Sequence, residues 1–296
     1  MTIEDKAILR LQEAAQMSQQ IYEKPLILAY SGGKDSDVTL DFAIKAGIPF
    51  EAVYSLTTVD MPETVYHIRD VFKTLELQGI PCRVEHPVYK GERVSMWTLI
   101  PQKKMPPTRL MRYCCSIMKE KTGKGRFIAA GVRKDESTKR RDRETFEIIG
   151  ATKKDGIRLS DEVFMDDNSD KRRILETCRL KAKRTVHPII DWTDNDVWEY
   201  IATEHIQVNK KYCDGYTRIG CIGCPMAGKE RLREFEEYPT YKRAYIRAFD
   251  KMLDVRKAKG LQTDWKKGED VFHWWMQDGV LPGQLKFWEE GDNHAE

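Results

Sequence analysis

The chain has 296 residues, 41% hydrophobic and 33% charged, which allows a sizeable core and excludes a disordered or low-complexity protein. No stretch approaches the roughly 18 to 20 apolar residues of a helical membrane span, and no apolar signal core follows Met1–Lys6, so a cytoplasmic setting without membrane contact is expected. A formal net charge of +3 names no partner, whereas seven cysteines in a reducing compartment point to metal or redox chemistry rather than disulfides.

Residues 3–23 carry apolar side chains at near-helical spacing, predicting a helix beside the first strand. Pro25–Tyr30 is a short apolar run that reads as a buried parallel strand. It ends in Ser31-Gly32-Gly33, and a helix opens from Lys34-Asp35-Ser36 and continues through Ala46. That arrangement is an anion cradle. Glycines let the backbone approach an oxyanion, and free N–H groups at the helix start stabilise phosphate. Ser31 and Ser36 add hydroxyl donors, Lys34 a cation, and Asp35 a carboxylate able to orient the loop or a Mg2+ ion. The spacing matches neither GxxxxGK[ST] nor GxGxxG, so neither a Walker NTPase nor a nicotinamide enzyme is implied.

Phe50–Leu56 reads as a second strand, a helix runs from Pro62 through Gln78, and Ile80–His86 forms a third strand. The alternation predicts an α/β fold with a doubly wound, mainly parallel sheet. Ligands then sit at the carboxyl ends of the strands, where Ser31 and Thr57 are expected. Residues 87–113 contain four prolines and read as an irregular excursion ending in Arg112-Tyr113-Cys114-Cys115. Arg126–Gly131 is a fourth strand that runs into Val132–Ser137, and residues 138–185 show no clear pattern. Val186–Ile201 is expected to hold a short strand and then a helix capped by Thr193 and Asp196, whose residues are assigned to the fold. Lys229–Gly260 is mostly helical, with an apolar stripe at Tyr241, Tyr245, Phe249 and Met252, and a further helix carries Phe272, Trp274 and Trp275. The expected division is a nucleotide-binding domain over 1–225 and a C-terminal helical extension over 226–296.

Cys221-Ile222-Gly223-Cys224 lets two thiolates face one metal centre, and Cys114, Cys115 and Cys213 stand ready to complete it. Four thiolates suit either zinc or a 4Fe–4S cluster. Cys82 and Cys178 stand alone and are read as core or left unassigned. From Lys119 to Arg143 there are ten Lys or Arg against four acids, and a second basic run extends from Lys171 to Arg184. A positive rim of this kind suits a nucleotide or the backbone of DNA or RNA.

Ser31-Gly32-Gly33-Lys34-Asp35-Ser36 resembles the SGGxDS pyrophosphate loop of the adenine-nucleotide α-hydrolase (PP-loop, HUP-like) superfamily. Within it, three further elements resemble phosphoadenosine phosphosulfate (PAPS) reductases: Pro62-Glu63-Thr64, the GxRxxES-like Gly131–Ser137, and Asp191-Trp192-Thr193 leading to Val197-Trp198. The resemblance implies ATP or an adenylyl-sulfate as ligand. It also implies a phosphate- or sulfate-holding role for Arg133, fixed by Glu136 or Ser137, and catalysis by Lys34, Asp35 and Arg133. The cysteine elements resemble those of cluster-bearing adenylyl-sulfate (APS) reductases, which implies iron–sulfur ligation by Cys221 and Cys224 with two of Cys114, Cys115 and Cys213. Those reductases carry a nucleophilic cysteine near the carboxyl terminus, and here none follows Cys224. The expected function is therefore an ATP pyrophosphatase that adenylates an acceptor and inserts sulfur, as in DNA phosphorothioation, with a cysteine desulfurase or thiol as donor. APS or PAPS reduction, and a non-catalytic nucleotide-sensing or nucleic-acid-binding module, are the alternatives; an oligomer is compatible with each.

Overall fold

The computed structural model describes residues 1–120, 123, 125–137, 140–149 and 183–277. Lys121, Lys124 and Lys139 of the first basic run, the second run up to residue 182, Cys178 and the thiol-free tail from 278 lie outside the described residues.

In chain order the elements are α1 (Ile3–Tyr22), β1 (Leu26–Ala29), α2 (Lys34–Lys45), β2 (Phe50–Ser55), α3 (Pro62–Leu77) and β3 (Cys82–Glu85). A short hairpin follows, β4 (Val88–Tyr89) with β5 (Glu92–Arg93), then α4 (Met96–Lys103), α5 (Tyr113–Met118) and β6 (Phe127–Ala130). The remainder comprises β7 (Phe146–Ile149), β8 (Lys183–Val186), α6 (Asp194–Thr203), α7 (Glu230–Glu237), α8 (Pro239–Ala258) and α9 (Gly268–Met276).

Six strands form one sheet in the order β3-β2-β1-β6-β8-β7, with helices against both sides. All neighbouring pairs are parallel except β7 with β8. The fold class read from strand–helix alternation is thus the one observed. β1 alternates as a doubly covered strand must: Leu26 and Leu28 join the main core, and Ile27 meets Val53 and Ile128 in a second cluster. α1 contributes Ala7, Leu11, Ala14 and Ser18, one buried stripe at helical spacing, and its start is closed by a reciprocal Thr2–Asp5 capping box. Phe42, Trp192 and Tyr200 pack ring against ring and tie α2 to the turn before α6.

The chain falls into two compact units that interleave in sequence. The first comprises residues 1–56, 60–86 and 118–219 and contains the whole six-stranded sheet. The second comprises residues 57–59, 87–117 and 220 onward. The carboxyl-terminal helices therefore group with the 87–117 excursion and the Cys221–Cys224 turn, rather than separating at residue 225. In the second unit Trp97 of α4 meets Tyr245 of α8 edge-on at 5.0 Å, and Trp275 Nε1 donates to Pro107 O at 2.6 Å.

Two local readings differ from what is observed. Residues 87–113 hold a hairpin and α4, because Ser95 caps a helix that accommodates Pro101. The short strand expected to open the Val186–Ile201 stretch lies mostly before it, at Lys183–Val186. Pro188 has no N–H to continue the ladder, and the chain turns through Ile190 N to His187 O and Trp192 N to Ile189 O bonds. Among the described residues no helix is long and apolar enough to cross a membrane.

Candidate active site

Strand order reverses between β1 and β6, and both strands end at the same edge of the first unit. In an open parallel sheet that is where a ligand crevice forms. From β1 the chain runs through Tyr30, Ser31, Gly32 and Gly33 into α2. Gly32 has φ +71°, and a Cβ there would stand 2.8 Å from Ile68 Cγ1, so a side chain is refused both by conformation and by space. Ser36 ties the loop together. Its hydroxyl accepts from Ser31 N at 3.3 Å and Gly33 N at 3.2 Å, and donates to Gly33 O at 2.7 Å.

Two basic side chains converge beside this loop and are almost fully buried, Lys34 at 6% and Arg133 at 2% exposure. Arg133 lies three residues beyond β6. Its Nε donates to Asp35 Oδ1 at 2.5 Å and its Nη2 to Asp194 Oδ1 at 2.8 Å. Lys34 Nζ reaches the same Asp194 oxygen at 2.9 Å and Asp35 Oδ2 at 3.5 Å. Burial opposes the charge on Arg133, but Asp35 above all outweighs it, with Asp194 and Glu136 adding to the effect, so the guanidinium is held cationic. Burial likewise works against the Asp194 charge. Hydrogen bonding and charge from Lys34, then Arg133, outweigh it and hold the carboxyl below the usual range. Glu136 fixes the arginine's backbone, accepting from Arg133 N at 3.1 Å, whereas Ser137 is exposed at the end of that turn and accepts from Arg140 N through its carbonyl.

Three contributors were not singled out in the sequence. Asp194, at the start of α6, bridges both cations. Tyr212 accepts from Lys34 N at 3.0 Å through its hydroxyl and packs edge-on against Trp198. Asn209, fully buried, donates to Thr64 Oγ1 at 3.0 Å and lies 3.5 Å from Gly32 O, buttressing the loop from behind. No local spacing marks these residues, since each meets the loop only through the folded chain.

Behind the loop, Tyr30 donates to Asp37 Oδ1, which also lies 3.1 Å from His67 Nε2. Asp37 Oδ2 is buried without a hydrogen-bond partner among the described residues. Burial pushes the Asp37 carboxyl up despite its bonds to His67 and Tyr30. Because the folded-state value exceeds the unfolded one, the favourable contribution is complete below the ordinary aspartate range and is lost as pH rises through the folded value. Asp37→Asn is therefore expected to flatten the decline in urea midpoint with rising pH, measured from roughly pH 4 to 8.

The second unit gathers the cysteines. The Cys114 thiol is held protonated by its hydrogen bond with Cys115, by burial, and by the nearby Cys115, Cys221 and Cys224, so these four share one electrostatic neighbourhood. Cys221 Sγ donates to Thr57 Oγ1 at 3.4 Å, and Arg112 Nη2 donates to Cys115 Sγ at 3.4 Å. Thr57, expected beside Ser31, thus groups with the cysteines of this unit. The Cys221–Cys224 turn is fixed from three directions: Ile222 N donates to Val59 O, Tyr245 Oη to Ile222 O, and Gly223 N to the buried Glu234. Gly223 has φ +72°, and a Cβ there would lie 2.5 Å from Phe235. Cys213 is exposed and belongs to the first unit. Among the described residues no three His, Cys, Asp or Glu side chains converge as ligands of a single ion. As thiolates these four cysteines would repel one another, and a cationic centre bound among them would offset that repulsion.

Much of the first basic run is internally engaged. Arg126 pairs with Glu51, Arg133 with Asp35 and Asp194, Arg140 with Glu136, and Arg143 with Glu147.

The phosphoadenosine phosphosulfate reductase domain family matches residues 25–227, more than half of the chain. The chain belongs to the PAPS reductase family. An uncharacterized protein of Methanocaldococcus jannaschii is 26% identical over 87% of this chain and 45% of its own length. An adenosine 5'-phosphosulfate reductase of Oceanobacillus iheyensis is 26% identical over 71% of this chain and 75% of its own. The chain spans less than half the length of the Methanocaldococcus protein it matches. The solved PAPS reductase of Candida auris covers 71% of this chain and 87% of its own, at 15% identity and a TM-score of 0.45. The PAPS reductase match embraces the loop, Arg133, Asp194 and all the cysteines from Cys82 to Cys224.

Proposed function

We propose that this PAPS reductase family chain binds ATP with its phosphates in the Ser31–Ser36 cradle and splits it between the α and β phosphates to activate an acceptor for sulfur insertion. The observation that carries the reading is the convergence of buried Lys34 and Arg133 on one carboxylate oxygen beside a glycine loop at the strand-order reversal. An acceptor oxygen would attack the α phosphorus while the bond to the bridging oxygen breaks and its electron pair leaves with pyrophosphate. Lys34 and Arg133 neutralise the charge that develops there, and Asp35 orients Arg133 and offers a carboxylate to Mg2+. A sulfide-level donor, from a thiol or a cysteine desulfurase, then attacks the acceptor carbon or phosphorus that bears the adenylated oxygen; the bond to that oxygen breaks and AMP departs with it. Three of Cys114, Cys115, Cys221 and Cys224 would hold a 4Fe–4S cluster, which would then supply a fourth iron open to carry sulfur at that oxidation level. What supports a nucleic-acid acceptor, a phosphate or a base of DNA or RNA, is narrower than the whole basic run: the exposed Lys134 and Arg141, beside the arginines that pair within the chain.

The likeness to a protein named adenosine 5'-phosphosulfate reductase favours a second reading, release of sulfite from an adenylyl-sulfate. Anaerobically purified protein, assayed for iron and sulfide, is to be given ATP with DNA, ATP with RNA, or adenylyl-sulfate with a thiol reductant. Acceptor-dependent pyrophosphate and AMP are the expected products. Sulfite from adenylyl-sulfate without pyrophosphate from ATP would replace this reading with the reductase, and ATP binding without turnover would leave a sensing module.

A further inference from the structure

The phosphate cradle is already filled by the chain's own groups. One oxygen of Asp194 lies 2.8 Å from Arg133 Nη2 and 2.9 Å from Lys34 Nζ, the placing a ligand phosphate oxygen would take between two cations. Asp35 engages the remaining side of both, and with Asp135 also within ion-pair reach of Arg133 the carboxylates fully offset the two cations. The Lys34 amide is likewise held by the Tyr212 hydroxyl. One buried donor of the group is left over: Arg133 Nη1 makes no hydrogen bond among the described residues, with Asp135 Oδ2 at 3.7 Å.

These four charges differ in their freedom to move. The side chains of Arg133 and Lys34 are 2% and 8% exposed and Asp35 is 21% exposed, whereas Asp194 is 53% exposed at the first residue of α6. Asp194 is thus the member of the group nearest solvent, and the one whose displacement moves the least buried charge. We infer that Asp194 is a built-in counterion that a nucleotide must displace, and that it sets the site's selectivity for phosphate chains carrying a divalent cation over bare polyanions. The inference rests on the nucleotide reading above.

The selectivity follows from charge. A bare polyphosphate takes the two cations but meets the displaced carboxylate as a like charge at close range. A phosphate chain bearing Mg2+ brings a cation that this carboxylate can face, so the same displacement is compensated. A binding-competent state that is only fractionally populated also lowers apparent affinity for every ligand by that fraction, and removing the internal anion removes that handicap.

The test is calorimetric titration of the full chain, as wild type, Asp194→Asn and Asp194→Ser, with ATP and with inorganic pyrophosphate, each in excess EDTA and in Mg2+. Both variants are expected to bind metal-free ATP and pyrophosphate about tenfold more tightly than wild type, and to lose most of the gain that Mg2+ gives wild type. Two substitutions, one preserving volume and one suited to a helix start, separate the charge from any local folding defect. Equal or weaker metal-free binding by the variants, with wild type still binding ATP, overturns the counterion role and leaves the nucleotide reading standing. Failure of every protein to bind ATP or pyrophosphate under either condition overturns both.

Discussion

Arg133→Ala is expected to lower acceptor-dependent pyrophosphate release by about 10²- to 10³-fold, the scale seen when one charge-stabilising donor is removed from a reacting centre. The arginine is 2% exposed and carries two separate carboxylate contacts, Nε to Asp35 and Nη2 to Asp194. Its loss removes the cation and sets two carboxylates of the cradle against the incoming phosphates. Arg133→Lys restores the charge but not the planar fork that serves both partners at once, so an intermediate rate is expected. The backbone bond from Arg133 N to Glu136 persists in both variants, which keeps the turn in place. A pyrophosphate-coupled assay alongside circular dichroism decides the matter, and an alanine variant within threefold of wild type would remove Arg133 from the chemistry.

Gly131→Ala should be nearly as damaging, for a steric reason. A Cβ at Gly131 would lie 2.5 Å from the backbone oxygen of Asp35 and 2.8 Å from Thr39 Oγ1. The first is main chain in the opening turn of α2, and Thr39 already donates to that oxygen at 2.7 Å, so neither neighbour can yield without moving the helix start. Forced separation of β6 from α2 is expected to lose about 1–3 kcal/mol of stability. It should also cost about 10²-fold in rate, because Arg133 and Lys34 sit on opposite sides of the wedge. Gly47→Ala is the contrast. Nothing lies within 4 Å of its Cβ position, and only its φ of +64° resists, a penalty of about 1–2 kcal/mol with the rate preserved. Urea denaturation and the same assay read both effects.

The loop was legible because its chemistry is local. Ser31, Gly33 and Ser36 are within five residues of one another, and their mutual hydrogen bonds follow from that proximity. Likewise Thr193 and Asp196 announce a helix start and form the expected capping box. Arg133 became a candidate only through resemblance, since nothing in Val132-Arg133-Lys134 distinguishes one basic residue from the next. Asp194 was hidden inside a capping motif. An acidic residue in a first helical turn is satisfied by the helix dipole alone, so its reach to Arg133, 61 residues back, leaves no local mark. Tyr212 and Asn209 were overshadowed by the neighbouring cysteines, and their role depends on meeting the loop across 178 and 177 residues. The proline-rich stretch before Cys114 concealed α4, because Pro101 argues against a helix that its other residues support.

Those long separations bear on how the protein comes to exist. Lys34 N to Tyr212, Arg133 to Asp35 and Asn209 to Thr64 span 178, 98 and 145 residues, and β6 reaches β1 only after the intervening strands and helices are made. Contacts of that span carry a large closure entropy and form slowly. A nascent chain emerging from the ribosome would therefore display the glycine turn long before it could grip anything, and competence would arrive only as the last third of the sheet-bearing unit closes on it.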